Sequence, residues 1–153
     1  MHWYDKMVPP HYDVLDLCLA ENVRRCQVHQ PAEMTEIFKK IAVWMKAQEY
    51  PAKDVCAVIL TVHEATSNAF RHGNRGDCSK PVRISYLVNA YEVVIRVEDE
   101  GSGFNPEPAP EPFHPEMLGR PGGGLMFMRA YSHWIVFDPP GNRVTFSRRR
   151  SSH

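Results

Sequence analysis

The segment from about Ala52 to Gly73 has the periodicity of a helix with two distinct faces. At about 100° per residue, one arc carries the apolar and small side chains Val55, Val58, Ile59, Val62, Ala65, Thr66 and Ala69. A separate stripe carries the polar side chains Thr61, Glu64, Asn68 and His72. Such an arc needs a sheet to pack against, and Gly73 predicts the end of the helix. The fold must therefore bury this helix on one side and leave its polar stripe accessible.

Two members of the polar stripe, Glu64 and Asn68, lie one helical turn apart and can reach a shared ligand. Asn68 can offer a neutral oxygen to a hard cation such as Mg²⁺, and Glu64 can orient or deprotonate a hydroxyl group or water. Taken alone, this spacing is more typical of a solvated helix face. The pair becomes informative only if other segments point to the same ligand.

The order of the other predicted elements indicates an α+β fold. We predict a strand over Val23 to His29 and a first helix through Met34 and Met45 until Tyr50-Pro51 interrupts it. After the central helix, alternating residues predict a hairpin over Val82–Val88 and Tyr91–Val97, a helix over Leu125–Tyr131 and two closing strands, Trp134–Phe137 and Arg143–Phe146. The expected architecture is a two-layer sandwich of helices on one mainly antiparallel sheet.

Composition limits the classes of protein to which this chain can belong. A chain of 153 residues with 43% hydrophobic content fits one domain, which we place at residues 23–148, after an unassigned extension (1–22) and before a basic, solvated tail (149–153). A formal net charge of zero disfavours a general nucleic-acid binder. The longest apolar run, Val55 to Leu60, is too short to span a bilayer, and no signal-peptide pattern opens the chain, so we expect a cytoplasmic protein without membrane contact.

Two further segments carry candidate ligand-binding chemistry. Asp99 ends the second hairpin strand and is followed by Gly101, Ser102 and Gly103. Its carboxylate can accept a hydrogen bond from the amino group of a nucleobase, although the same residues are also typical of a turn. Gly122 to Gly124 precede a helix, where backbone N–H groups favour an anion, although a flexible glycine hinge is an equally open interpretation.

Taken in order, these segments resemble three motifs of the GHKL ATPase superfamily. Glu64-x-x-x-Asn68-Ala69-x-x-His72-Gly73 resembles its N box, Asp99-x-Gly101-x-Gly103-Phe104 its first glycine box, and Gly122-x-Gly124-Leu125-Met126 its second. The His-Gly pair, the Gly-Phe pair and the closing strands are most similar to the bacterial anti-sigma factor serine kinases. The resemblance extends from about Gln30 to Arg148.

The resemblance implies a role for each matching residue, with ATP and Mg²⁺ as cofactors. Glu64 would be the general base and Asn68 the Mg²⁺ ligand. The expected nucleotide contacts are Asn68, His72, Asp99, Gly101, Gly103, Phe104, Gly122, Gly123, Gly124, Leu125 and Asn142, with Asp99 on adenine N6 and the glycines from 122 to 124 at the phosphates. Residues 105–121, rich in proline and acid, would form the ATP lid. Asn142 stands where the family usually has a threonine that supports adenine binding.

The resemblance also implies an activity and partners. The expected function is that of an anti-sigma serine/threonine kinase that phosphorylates an anti-sigma antagonist of the STAS fold, sequesters a sigma factor and forms a homodimer. A non-catalytic, ATP-gated binding module needs the same pocket and is the alternative. A detached histidine-kinase ATPase domain is less favoured, because the sequence lacks the additional boxes of those enzymes and a preceding helix pair with a phospho-acceptor histidine.

Overall fold

In the computed structural model, which describes residues 23–103, 123–138 and 142–152, five strands form one antiparallel sheet. They are β1 (Arg24–Val28), β2 (Val82–Val88), β3 (Glu92–Glu98), β4 (Trp134–Asp138) and β5 (Arg143–Arg149). Their order across the sheet is β1-β2-β3-β5-β4. The predicted hairpin is β2–β3, and the closing pair β4–β5 joins it through the β3–β5 ladder.

The helices of the described residues are α1 (Met34–Ala47), α2 (Ala52–Asn68) and α3 (Gly123–Tyr131). A short 3₁₀ turn at Pro31–Glu33 leads into α1, and the Glu33 carboxylate accepts the backbone N–H groups of His29 and Gln30 there. The central helix begins at Ala52, as predicted, with Pro51 as its N-cap residue. The helical segment ends at Gly73, as expected, but its last turn, over Ala69–Gly73, is π-helical.

All three helices pack on one face of the sheet, which we call the inner face. The core between the two layers includes Ile41 and Met45 of α1, Val58 and Val62 of α2, Met128 of α3 and the strand residues Ile84, Ile95 and Phe146. The predicted two-layer α+β sandwich is confirmed. In the described part of the chain, no helix is long and apolar enough to cross a membrane.

A smaller apolar cluster lies on the opposite, outer face of the sheet. It contains Leu87, Val94, Trp134 and Val136, with Val23 packed against it. These side chains alternate along their strands with residues of the inner core, as the two-residue period of a strand requires.

The residues after β5 are held against the helix layer. Ser151 donates from both its backbone N–H and its hydroxyl group to the carboxylate of Asp54 in the first turn of α2, each at 2.7 Å. Arg148 Nε donates to the same carboxylate at 2.9 Å. The backbone N–H of Arg150 donates to the Tyr91 carbonyl at 2.8 Å. The segment that we expected to be a solvated tail thus begins inside β5 and is hydrogen-bonded through residue 151.

Candidate functional site

A pocket opens beside the C-terminal half of α2, between this helix and the sheet. It is lined by Ala65, Asn68, Ala69, His72, Gly73, Val97, Asp99, Gly103, Met128, Phe137, Asn142, Arg143 and Val144. Five of the twelve predicted nucleotide-binding and catalytic residues are in this set: Asn68, His72, Asp99, Gly103 and Asn142. Segments that are far apart in the sequence therefore meet at one cavity.

The helical side of the pocket follows the spacing of α2. Ala65, Asn68, Ala69 and His72 are separated by three or four residues and line one side of the cavity together. Asn68 is half-buried at its edge, and His72 is exposed. Ala65 and Ala69 leave room beside them because they have only a methyl group. Sequence analysis placed these alanines in the core and did not identify them as pocket residues.

Thr61 does not belong to the accessible stripe, contrary to our expectation. Its side chain is buried, and its hydroxyl group donates to the Ala57 carbonyl at 2.7 Å. This bond to the preceding turn satisfies the hydroxyl group inside the helix layer. The stripe that remains accessible consists of Glu64, Asn68 and His72.

The π-helical turn after α2 brings two glycines against Asp99. A β-carbon added at Gly73 would overlap the Asp99 carboxyl group, and one added at Gly101 would overlap the Gly73 carbonyl. The Asn74 N–H closes the widened turn by donating to the Ala69 carbonyl at 2.8 Å. π turns inside helices occur frequently at functional sites. Here the turn and the two glycines allow a carboxylate and two backbone segments to approach closely.

The Asp99 carboxylate is half-buried, and little hydrogen bonding compensates for the hydration that it loses. Burial raises the pKa of this carboxyl group, and a hydrogen bond from the Gly101 N–H to Oδ1, at 2.7 Å, partly opposes that shift. This is the one hydrogen bond that the carboxylate accepts from the described residues. A buried carboxylate with spare acceptor capacity stands ready for a donor from a ligand.

Asn142 and Asn74 hold the backbone on either side of Asp99. The Asp99 N–H donates to the Asn142 carbonyl at 3.0 Å, and Asn142 Nδ2 donates to the Asp99 carbonyl at 3.2 Å. The side-chain amide of Asn142 is therefore engaged with the main chain of Asp99. Asn142 lines the pocket, and its observed contact is with the protein backbone; its contact with a nucleotide stays a prediction.

Asn74 is a positioning residue that the sequence analysis missed. Its buried amide donates to the carbonyls of Lys80 and Pro81, both at 3.1 Å, and its Oδ1 accepts the Glu100 N–H at 2.8 Å. It thereby ties the end of the central helix to the start of β2 and to the loop after β3. Its place directly after the His72-Gly73 pair was the available signal.

Glu64, the first residue of the accessible stripe, meets the start of α3. A β-carbon added at Gly124 would overlap Glu64 Oε1, so the carboxylate of Glu64 lies directly against this glycine. The α3 helix begins at Gly123, and its first N–H groups lack partners within the helix. Glu64, half-buried, thus stands beside a helix N-terminus that favours negative charge.

The remaining predicted residues have different outcomes. Gly101 contacts Gly73 as described, and Leu125 is partly buried against the inner core. Phe104, Gly122 and the predicted lid at 105–121 lie outside the described residues, as does the extension at 1–22. The apolar floor of the pocket, formed by Val97, Met128, Phe137 and Val144, was not identified as ligand-binding from the sequence.

The donor set fits a purine nucleotide better than a resident metal ion. An apolar floor with one half-buried carboxylate at its edge suits a flat, uncharged ring that carries an amino group. In the described residues, no three His, Cys, Asp or Glu side chains lie together to hold a metal ion by themselves. A single carboxamide such as Asn68 fits Mg²⁺ whose other ligands are phosphates and water.

Comparison with known proteins agrees with this geometry. The model of one protein family, described as the histidine kinase-like ATPase domain, matches residues 28–148. The matched range begins at the end of β1 and ends within β5, and it contains α1, α2, α3 and the whole pocket. A search of curated proteins finds no match.

Proposed function

Because this chain belongs to the family of histidine kinase-like ATPase domains, we propose that it is an ATP-dependent protein kinase that phosphorylates a serine or threonine of a partner protein. The observation that carries the proposal is the contact between the Glu64 carboxylate and Gly124. It brings a potential general base to the helix start where phosphate would bind. Asn68, one turn further along α2, would hold Mg²⁺, which neutralises charge on the phosphates.

The adenine end of the nucleotide is assigned to the pocket around Asp99. Its carboxylate accepts an amino hydrogen, and the close approach of Gly73 to Gly101 leaves no side chain between the ring and the backbone. Val97, Met128 and Val144 provide the apolar floor. Burial on such a floor excludes water and orients the triphosphate toward Glu64.

Glu64 acts on the acceptor hydroxyl group in this proposal. The carboxylate accepts the hydroxyl proton while backbone N–H groups at the start of α3 support the transferred group's negative charge. Because phosphoryl transfer depends mainly on positioning and charge stabilisation, the Glu64 carboxylate next to Gly124 is the feature that a binding module would not require.

The partners follow from the resemblance to anti-sigma serine kinases. The substrate is an anti-sigma antagonist of the STAS fold, a sigma factor is the second client, and the kinase is a homodimer. Asn142 is compatible with this assignment because it supports the backbone of Asp99.

Incubation with labelled ATP, Mg²⁺ and a STAS-domain protein encoded near this one tests the proposal. We expect acid-stable label on the partner, and a loss of about 10²- to 10⁴-fold in the Glu64→Gln variant, which is the usual contribution of a general base. Glu36→Gln, the same change on an exposed residue of α1, is the matched control and should retain full activity. Transfer that survives Glu64→Gln would exclude the base assignment.

Two other results distinguish the alternatives. Binding of ATP without transfer to any partner would favour the ATP-gated binding module over the kinase. Acid-labile label, typical of phosphohistidine, would indicate the chemistry of a histidine kinase and overturn the serine/threonine proposal.

A further inference from the structure

A groove lies at the end of α1, between this helix and the turn that joins β2 to β3. Its volume is about 350 Å³, and it is lined by Trp44, Ala47, Gln48, Val88, Asn89 and Ala90. We call it the α1 groove. Among the described residues, it has no lining residue in common with the nucleotide pocket. The helix that leads from this end of the domain to the pocket begins at Ala52, and the pocket starts at Ala65, about 20 Å further along.

Large apolar side chains are exposed beside the α1 groove. Tyr91 follows the lining residue Ala90 in the chain and is 80% exposed. Val43, one helical turn before Ala47, is 61% exposed. Apolar side chains that remain in water next to a groove are typical of a site of contact with another molecule.

The turn that forms one wall of the α1 groove is held by hydrogen bonds. The Asn89 carbonyl accepts the hydroxyl group of the buried Tyr50 at 2.9 Å. Asn89 Oδ1 accepts the backbone N–H groups of Tyr91 and Glu92 at 2.8 and 2.9 Å. The Tyr91 carbonyl accepts the backbone N–H of Arg150 at 2.8 Å. Because this wall is fixed before anything binds, little ordering is required on association.

Two exposed arginines contact the residues that line the α1 groove. The Arg24 guanidinium group lies 4.5 Å from the centre of the Trp44 ring. Arg150 Nη1 donates to the Gln48 carbonyl at 2.9 Å. A guanidinium group has five N–H donors, and this bond uses one of those of Arg150. Both arginines are therefore suited to hold a carboxylate of a bound molecule.

The charged neighbours of these arginines leave an excess of positive charge in the described chain. Lys46 adds a third cation at this end of α1 and is exposed. Two acidic residues lie near them in the sequence: Glu49 is exposed, and the Glu92 carboxylate accepts the Ser147 hydroxyl group at 2.8 Å. Three cations thus stand against one exposed carboxylate and one that is already hydrogen-bonded. This balance favours an acidic occupant.

We propose that the α1 groove binds an acidic segment of a partner protein. An apolar side chain of that segment packs against Trp44, Ala47 and Val88, and its carboxylates pair with Arg24 and Arg150. The site lies at the other end of α2 from the nucleotide pocket, so the proposal does not depend on the proposed function.

The chemistry of the α1 groove fits other occupants less well. Nucleic acids bind mainly through concentrated lysine and arginine, whereas this groove is lined by apolar and uncharged side chains. A second copy of the chain in a two-fold contact would bring the same cations against each other.

Fluorescence anisotropy with the full-length chain tests the proposal. The probe is a fluorescein-labelled pool of short peptides in which Asp or Glu alternates with Leu, Phe or Trp. A second pool with Lys in place of the acidic residues is the control. We expect saturable binding of the acidic pool and none of the basic pool. The titration contains no nucleotide, so a failure of the proposed function would not affect it.

Ala47→Trp fills the α1 groove without changing its charge. We expect it to weaken binding of the acidic pool by about 10- to 100-fold, the contribution of one buried apolar side chain. Ala130→Trp makes the same change on an exposed residue of α3 and should leave binding unchanged. Circular dichroism verifies that each variant is folded.

A second variant tests the charges and keeps the proposal testable if Ala47→Trp does not fold. Because exposed ion pairs contribute modestly, we expect Arg24→Gln/Arg150→Gln to weaken binding by about 3- to 20-fold and to reduce its dependence on salt. Arg71→Gln/Arg75→Gln removes the same charge from exposed residues at the other end of α2 and should bind the acidic pool as the wild type does.

Four outcomes would overturn the proposal. The first is the absence of saturable binding of the acidic pool. The second is unchanged binding in a folded Ala47→Trp variant, or an equal loss in the two arginine variants, since either would indicate a non-specific attraction. Displacement of the peptides by single-stranded DNA at equal concentration would assign the surface to nucleic acid. A dimer that dissociates in light scattering when the peptides are added would assign it to a second copy of the chain.

Discussion

The contact between Gly73 and Asp99 provides the sharpest test of the nucleotide pocket. In Gly73→Ala, the new methyl group would overlap the Asp99 carboxyl group, so Asp99 must move away from both the Gly101 N–H and the expected adenine amino group. A hydrogen bond to a charged group contributes about 1.5–3 kcal/mol. Loss of the bond to adenine should therefore weaken Mg·ATP binding by about 10- to 100-fold.

Gly76→Ala is the matched control for this substitution. Gly76 lies three residues further along, has a φ of 74° and has nothing within 4 Å of a β-carbon placed there. An alanine at this left-handed position costs about 1–2 kcal/mol of stability through backbone strain alone. We expect it to lower the free energy of unfolding but to leave the affinity for Mg·ATP unchanged.

Titration calorimetry with Mg·ATP, combined with urea unfolding of both variants, separates the two effects. Gly73→Ala should lose stability by about 1–3 kcal/mol, the usual cost of overpacking, and should also lose affinity. The reasoning would be refuted if Gly73→Ala bound Mg·ATP as tightly as the wild type, or if Gly76→Ala weakened binding equally.

Three other substitutions test separate parts of the structure. Asn74→Ala removes three hydrogen bonds of a buried amide. Urea denaturation should find its free energy of unfolding lower by about 2–4 kcal/mol. Asn89→Ala, at a partly exposed turn, should lower the free energy of unfolding by less. Burial alone would raise the pKa of Asp54, but the hydrogen bonds from Ser151 and Arg148 outweigh it and lower that pKa. The stability that ionised Asp54 contributes is therefore present above its unfolded-state pKa and is lost as the pH falls through the lower folded-state pKa. Thermal melts should show that Asp54→Asn is less stable than the wild type at neutral pH. The variant should also lack this acid-dependent loss of stability. Burial raises the pKa of Asp99. The affinity for Mg·ATP should therefore decrease as the pH falls through that raised pKa, because a protonated carboxyl group accepts an amino hydrogen poorly. Calorimetry should find that Asp99→Asn binds Mg·ATP more weakly and without this pH dependence.

The sequence predicted the fold well because its local patterns and its tertiary structure agree. The alternation over Val82–Val88 and the following strand was sufficient to predict a hairpin, and the apolar arc around Val58 and Val62 was sufficient to predict a helix packed on a sheet. The polar stripe of the same helix places Glu64 against Gly124 of the glycine segment. In each of these cases the periodicity of one element determines which side is buried.

The parts that were missed depend on contacts between distant segments. The π turn at Ala69–Gly73 brings Gly73 against the carboxyl group of Asp99, a contact between distant segments that no local pattern reveals. Thr61 was assigned to the accessible stripe because its residue type is polar, although a hydrogen bond inside the helix allows it to be buried. The role of Asp54 becomes apparent only when Arg148 and Ser151 are placed beside it.

The hydrogen bonds that Ser151 and Arg148 donate to Asp54 affect the order in which this protein can fold during translation. The carboxylate belongs to the first turn of the helix that carries Glu64 and Asn68, yet Ser151, which donates two hydrogen bonds to it, follows 97 residues later. While the ribosome adds those residues, the nascent helix has a negative group on its inward side without these donors. The nucleotide-binding helix can therefore settle fully on the sheet only late in synthesis.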